Sequence, residues 1–295
     1  MMKRNDAIIA VLIGLSVLFV FVVFTLTIMG LFTGRTLTFG SLGRRIALVE
    51  IHGVMTEAES TVRQLKHYAR DESIPAIVLR INTPGGTAAV AQEIYEQIDK
   101  VRQDGKKVVA SMGPLAASGG YYVACAADTI VANPATLTGS IGVQMQLPRT
   151  DELFRKIGVE FRVVKSGPHK DIGSPHRPMT EEERRILQGV IDDSYEQFVD
   201  VIVAGRELPR EEVLAVADGR IFTGRQAHEL GLVDEIGTYE EAIIMAARMV
   251  GIEGEPRVIR ERRRREDLFD ILFQLAGRLG GSVQKQAALE YLLSP

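Results

Sequence analysis

The stretch AIVLRINTPGGTAAVAQEIYEQIDKVRQDGKKVVASM, residues 76–112, decides the fold. Residues 76–82 are a short aliphatic run rich in β-branched side chains, which reads as a buried strand. TPGG (83–86) is a loop, and Thr87 to Asp104 spaces its apolar residues as an amphipathic helix does. KKVVASM (106–112) returns to strand. Strand, helix and strand in that order make a parallel βαβ unit.

The alternation extends outward. RIALVEIHGVM (45–55) reads as a strand and EAESTVRQLKHYARD (57–71) as a helix. DTIVAN (128–133) is a further strand, PATLTGSIGV a loop, residues 150–157 a short helix, and VEFRVVKSG (159–167) another strand. From Thr180 the chain turns helical, and Thr180 with Glu183 forms a capping box at the start of the longest helix. The expected class is therefore α/β, with a parallel sheet and a helical C-terminal part.

The two ends differ from this middle. Ala7 to Phe32 is 26 residues without a charge. As a helix it would reach about 39 Å, enough to cross a hydrocarbon core of about 30 Å. A cleaved leader would have a shorter apolar run and an Ala-x-Ala exit, so an uncleaved transmembrane anchor is the expectation for residues 1–32. Lys3 and Arg4 precede it while Arg35, Arg44 and Arg45 follow, so positive charge does not choose its orientation. TGRTLTFGSLG (33–43) is a linker, residues 44–255 form the folded domain, and residues 256–295 are a tail. In the tail, RRRR (262–265) precedes a helix at 266–279 with Leu268, Ile271, Leu272, Leu275 and Leu279 on one face. That face suits packing on the domain or on a neighbouring subunit, or attachment to a membrane surface. A formal charge of −3, from 35 basic and 38 acidic residues, argues against nucleic acid as a partner. Cys125 is the only cysteine, which excludes an intrachain disulfide and a cysteine-built zinc site.

Within the domain, MGPLAASGGYYVACAAD (112–128) sets Ser118 between Ala116–Ala117 and Gly119–Gly120, after a strand and before a helix. Loops at the carboxyl ends of parallel strands form the crevice where ligands bind. A serine there with small neighbours lets a substrate backbone approach, and N–H groups at the helix start face the same place. Gly85–Gly86, after the strand 76–82, offer a second set of N–H groups, as an oxyanion hole built from two loops requires. A tight turn would use the same residues, and Ala116 departs from the Gly-x-Ser-x-Gly elbow. A nucleophilic serine needs a base. None of His52, His67, His169, His176 and His228 has flanking residues that mark it as that base, though His169 and His176 lie in a Gly- and Pro-rich loop. The same loop, SGPHKDIGSPHRPMT (166–180), contains Lys170, which could serve if burial lowered its proton affinity. The local Ser-x-x-Lys match, Ser282 to Lys285, lies in the polar tail where nothing would desolvate the lysine. No His-Glu-x-x-His or Cys/His spacing calls for a metal.

RINTPGG (80–86), SMGPLAASGGYYVACAADTIVANPATLTGSIGV (111–143), KSGPHKDIGSPHRPMTEEER (165–184) and ADGRIFTGRQAHELGLVDEIG (217–237) together resemble the short-form bacterial signal peptide peptidase A family. These are Ser/Lys membrane proteases of the Clp protease/crotonase superfamily, and the resemblance covers roughly residues 44–250. It implies a ββα-repeat core, with Ser118 as nucleophile, Lys170 as general base, Gly86 and Gly119 as backbone oxyanion donors, and Ser140 orienting the lysine. It implies no cofactor or metal. The expected substrates are signal peptide remnants left after export, or, alternatively, other membrane-protein substrates. The expected location is the cell membrane, single-pass through residues 7–32, with the catalytic domain on the extracytoplasmic side. Two-copy relatives take serine and lysine from different copies, so a single-copy chain is expected to form a homo-oligomeric ring with shared sites. Two other classes fit parts of the chain: an acyl-CoA enzyme on the related crotonase fold, and a non-catalytic membrane scaffold. The Ser118/Lys170 pair and the anchor speak against the first, and cleavage abolished by Ser118→Ala would remove the second.

Overall fold

In the centre of the molecule, β1 (Ile46–His52) and β2 (Ala76–Thr83) pair in parallel, Ile46 opposite Ala76 through His52 opposite Asn82. Both are nearly continuous aliphatic runs, as strands covered by helices on both faces must be. The computed structural model describes residues 15–21, 43–261 and 290–292. Two units are distinguished, residues 1–44 and 45–295. Of the first, residues 15–21 are helical (α1), with exposed side chains. The rest of the expected anchor 7–32 lies outside the described residues, as do the amphipathic stretch 266–279 and the Ser282–Lys285 pair. Among the described residues no helix is long and apolar enough to cross a membrane.

In the second unit, β4 (Lys107–Ala117) extends the parallel sheet beyond β2. The main path runs β7 (Ile221–Thr223), β6 (Leu137–Gly139), β4, β2, β1 and β9 (Val258–Arg260), with β5 (Thr129–Ala132) paired to β4 and to β8 (Glu235–Ile236). The pairing is parallel throughout except where β6 meets β7. β9 adds to the outer edge of β1, so the start of the C-terminal segment belongs to the sheet. One face packs against α2 (Glu59–Arg70), α3 (Ala88–Gln103), α4 (Gly119–Ala124) and α6 (Glu181–Arg206). The other, lined by Ile46, Leu48, Val78, Val109 and Val131, packs against α9 (Tyr239–Met249). The result is an α/β fold with a mostly parallel mixed sheet.

Several readings of the sequence are corrected. TPGG (83–86), read as loop, holds the end of β2 and the start of a further short strand, and PATLTGSIGV, read as loop, holds β6. The strand read over 106–112 runs on through residues 113–117 as β4. Small residues let Ala116 pair with Thr83 on one side and with Thr138 of β6 on the other. Residues 159–167, read as strand, are not strand. Their alternation is right for one, but no edge of the described chain pairs with them. Val159, Phe161, Val163 and Val164 are left exposed. They lie between the short α5 (Asp151–Lys156) and the Lys170 loop.

Candidate active site

Ser118 follows the last residue of β4 and precedes the first residue of α4. Its backbone has φ 54° and ψ −118°, a conformation that costs a non-glycine residue on the order of 1–3 kcal/mol. Its N–H donates to Gly139 O at 2.8 Å, and its C=O accepts the first helical bond, from Tyr122 N at 2.9 Å. Serine is a favoured helix cap, yet its hydroxyl caps nothing. Ser118 is 1% exposed and its Oγ has no hydrogen-bond partner among the described residues. Leaving a buried polar group unsatisfied costs about 1–3 kcal/mol. A backbone held off its preferred region and an uncommitted hydroxyl coincide in this one residue.

The glycine strand β3 (Gly85–Thr87) lies beside it. Met55 N donates to Gly85 O at 2.9 Å and Thr87 N to Met55 O at 3.0 Å, which pins one edge of β3. Alternation then aims the N–H of Gly86 at the opposite edge. A Cβ on Gly86 would sit 2.1 Å from Met55 O, so this close backbone approach requires glycine. On the helix side, a Cβ on Gly120 would meet Thr83 Cγ2 at 2.6 Å. The start of α4 is thus packed against the end of β2, and α4 also lies against β3, the strand of Gly86. Along the other edge of β3 runs β10 (Glu290–Leu292), antiparallel, with Tyr291 opposite Gly86, and it also lies against α4. A segment of the chain itself occupies the edge where an extended peptide would add as a strand.

Ser140 follows Gly139 of β6, is 7% exposed, and donates its N–H to Arg220 O at 2.8 Å. It borders a cavity of ≈ 480 Å³ between Ile141, Val143, Tyr195 and Ile221. A larger cleft of ≈ 850 Å³ lies between α9 and residues 251–258, and none of the candidate residues lines it.

Lys170 is placed elsewhere. It is exposed, on the loop before α6, with Lys170 N donating to Gly167 O at 3.3 Å. Its ammonium makes no hydrogen bond or ion pair among the described residues, whereas Lys165 on the same segment is tied to Asp171 and to Pro168 O. Among the described residues of one chain Ser118 Oγ and the Lys170 ammonium make no hydrogen bond to each other. The loop histidines are otherwise occupied: His169 Nε2 lies 3.7 Å from Glu182, and His176 stacks on Phe161 with centroids 3.6 Å apart. Cys125 is buried and its thiol is pushed up to about 12, so it supplies no thiolate near neutral pH.

The sequence alone did not mark three parts of this arrangement. They are the Gly139 carbonyl that holds Ser118, the Met55 clamp on β3, and Arg177, which joins Asp171 to Glu183. All three connect residues through backbone or side-chain contacts that no local motif spells out.

The chain matches the model of Peptidase family S49 over residues 100–253 and that of Clp protease over residues 42–137. The first span includes Ser118, Ser140 and Lys170; the second includes Gly86 and Ser118. A putative protease of Synechocystis is 46% identical over 215 residues, 72% of this chain and 77% of that one. A putative protease of Methanocaldococcus jannaschii is 34% identical over 227 residues, 77% of this chain and 73% of its own length. A putative signal peptide peptidase SppA of Enterococcus faecium is 34% identical over 224 residues, 72% of this chain and 65% of its own.

Proposed function

This chain belongs to peptidase family S49 and is a serine protease, and on that premise we propose that it is a membrane-anchored endopeptidase whose Ser/Lys sites are shared between copies. In this reading Ser118 Oγ attacks the scissile carbonyl while neutral Lys170 of a neighbouring copy takes its proton. The oxyanion is held by the N–H groups of Gly86 and Gly119. Lys170 then gives its proton to the leaving amine as the C–N bond breaks. Water, with Lys170 again as base, hydrolyses the acyl-enzyme. Ser140 orients the lysine.

The observation that carries the reading is Ser118 itself, a buried serine in a strained backbone with an unpartnered hydroxyl. Two further observations support a shared site. Lys170 has an uncommitted ammonium, and the segment leading to its loop leaves Val159, Phe161, Val163 and Val164 uncovered. Fully burying an exposed side chain of this kind is worth about 1.5–3 kcal/mol, and less for Val159, Phe161 and Val163, which are already about half covered, so a second copy would gain by covering this surface. A peptide would lie as a strand on the edge of β3 where residues 290–292 lie now. Extended, unfolded peptides fit that edge and folded proteins do not. Remnants of signal peptides are therefore the proposed substrates, in line with the name of the Enterococcus relative. The uncharged run Ala7 to Phe32 supports anchorage in the cell membrane, and the resemblance to the signal peptide peptidase A family supports the extracytoplasmic side for the domain.

The test is cleavage of a fluorogenic apolar peptide by the detergent-solubilised chain. Ser118→Ala and Lys170→Ala should each abolish turnover, and retention of turnover by Ser118→Ala would refute the assignment.

A further inference from the structure

The loop from residue 166 to 179 carries no helix or strand, yet it must present Lys170 reproducibly. What holds it is a cluster of charges around the next residue. Asp171 accepts from Arg177 Nε at 2.9 Å and from Arg177 Nη2 at 2.8 Å, a two-pronged guanidinium–carboxylate pair. It also accepts from Lys165 Nζ at 2.6 Å. Arg177 spans onward to Glu183, donating through Nη1 at 2.8 Å and through Nη2. Glu183 is buried and closes the capping box of α6, accepting from Thr180 N at 2.9 Å.

Asp171 is thus gripped from the residue that enters the loop, from the residue near its exit, and through Arg177 from the first turn of a 26-residue helix. Bonds to Arg177, and then to Lys165, hold Asp171 well below the usual carboxylate range. Bonds to Arg177 and to Thr180 N–H lower Glu183 to about 2. Both stay ionised wherever the enzyme would work. The ammonium of Lys170, one residue away, takes no part. The backbone beneath it is fixed while its own side chain stays free to reach outward.

We propose that Arg177 is a positioning residue for the general base: clasping Asp171 to Glu183, it sets where the Lys170 loop delivers its amine. The inference rests on the reading of Lys170 as base. Arg177 touches neither substrate nor the reacting atoms and acts only through the loop. Lysine in its place keeps the charge but cannot make both two-pronged contacts.

The experiment measures kcat and KM on the fluorogenic peptide for the full chain and for Lys170→Ala, Arg177→Ala, Arg177→Lys, Asp171→Asn and the double variant Lys170→Ala/Arg177→Ala. Size-exclusion elution and melting are recorded for each. A misplaced catalytic group costs up to about a hundredfold, so Arg177→Ala and Asp171→Asn should lose roughly ten- to a hundredfold in kcat with little change in KM. Arg177→Lys should fall in between. Millimolar guanidinium should restore part of the Arg177→Ala activity and none in the double variant, which lacks the base. If Arg177→Ala fails to fold, Asp171→Asn, which keeps shape and volume, carries the same test. Wild-type kcat in the folded Arg177→Ala or Asp171→Asn chain overturns the proposal. So does a kcat loss in Arg177→Ala that guanidinium does not restore. Failure of the underlying reading looks different: Lys170→Ala would itself stay active.

Discussion

Ser118 and Ser140 stand at the ends of two paired parallel strands, each one residue past the Ala117–Gly139 pair, and both have positive φ, 54° and 51°. Ser118 N–H donates to the carbonyl of the residue before Ser140. The register of β4 on β6 therefore fixes the two hydroxyl-bearing residues relative to each other. If Ser140 orients the base beside Ser118, Ser140→Ala should lower kcat and spare KM. Losing a partner of a buried polar group costs about 1–3 kcal/mol, or roughly ten- to a hundredfold in rate. Steady-state kinetics checks it, and an unchanged kcat would remove Ser140 from the site.

Gly86→Ala probes the oxyanion hole through geometry. The new methyl would lie 2.1 Å from Met55 O, so β3 must move off its clamp. Losing one oxyanion donor costs about a hundred- to a thousandfold in kcat, and a loss of that size is expected. Near-normal kcat in the folded variant would mean that Gly86 N–H does not face the reacting carbonyl.

The strand at 290–292 covers the β3 edge that a substrate would need. It should compete with substrate, so deleting residues 289–295 is expected to lower KM and leave kcat unchanged. Peptide kinetics on the shortened chain decide it. An unchanged KM would place the substrate on another edge.

The Arg177 clasp makes a pH prediction for stability. The folded-state value of Glu183 is about 2, lowered from 4.5 by its bonds to Arg177 and Thr180. A depressed carboxylate stabilises the fold fully above its unfolded value and ceases to do so below its folded value. The stability difference between the wild-type chain and Glu183→Gln should therefore be constant above about pH 4.5, shrink as pH falls, and vanish near about pH 2. Thermal melts across that range measure it, and a difference that persists at the lowest pH would assign the stabilisation to another group.

Much of this molecule was legible in the sequence. β1, β2 and the first part of β4 are uninterrupted aliphatic runs, and a strand buried on both faces leaves that signature. The Thr180–Glu183 capping box was visible because its partners are three residues apart, and both of its bonds form. Ser118 at a strand–helix junction followed from its small neighbours. What the sequence hid was non-local. Residues 137–139 look like loop, and they become β6 only because Ala116 and Phe222 lie on either side of Thr138. Val159 to Val164 alternate like a strand, but a strand needs an edge to pair with, and none among the described residues pairs with them. The role of Arg177 depends on two acids, each six residues away on opposite sides.

The central claim is that Ser118 and Lys170 act together from different copies, and co-assembly of two dead variants tests it most directly. Ser118→Ala and Lys170→Ala chains carrying different tags are co-expressed, purified through both tags, and compared with wild type on the fluorogenic peptide. Each variant alone should be inactive. In a ring of head-to-tail contacts, random mixing at equal amounts pairs an intact serine with an intact lysine about a quarter of the time, so about a quarter of wild-type activity should return. Mixed assemblies of wild-type size that stay as inactive as their parents would place the dyad within one chain and contradict the account.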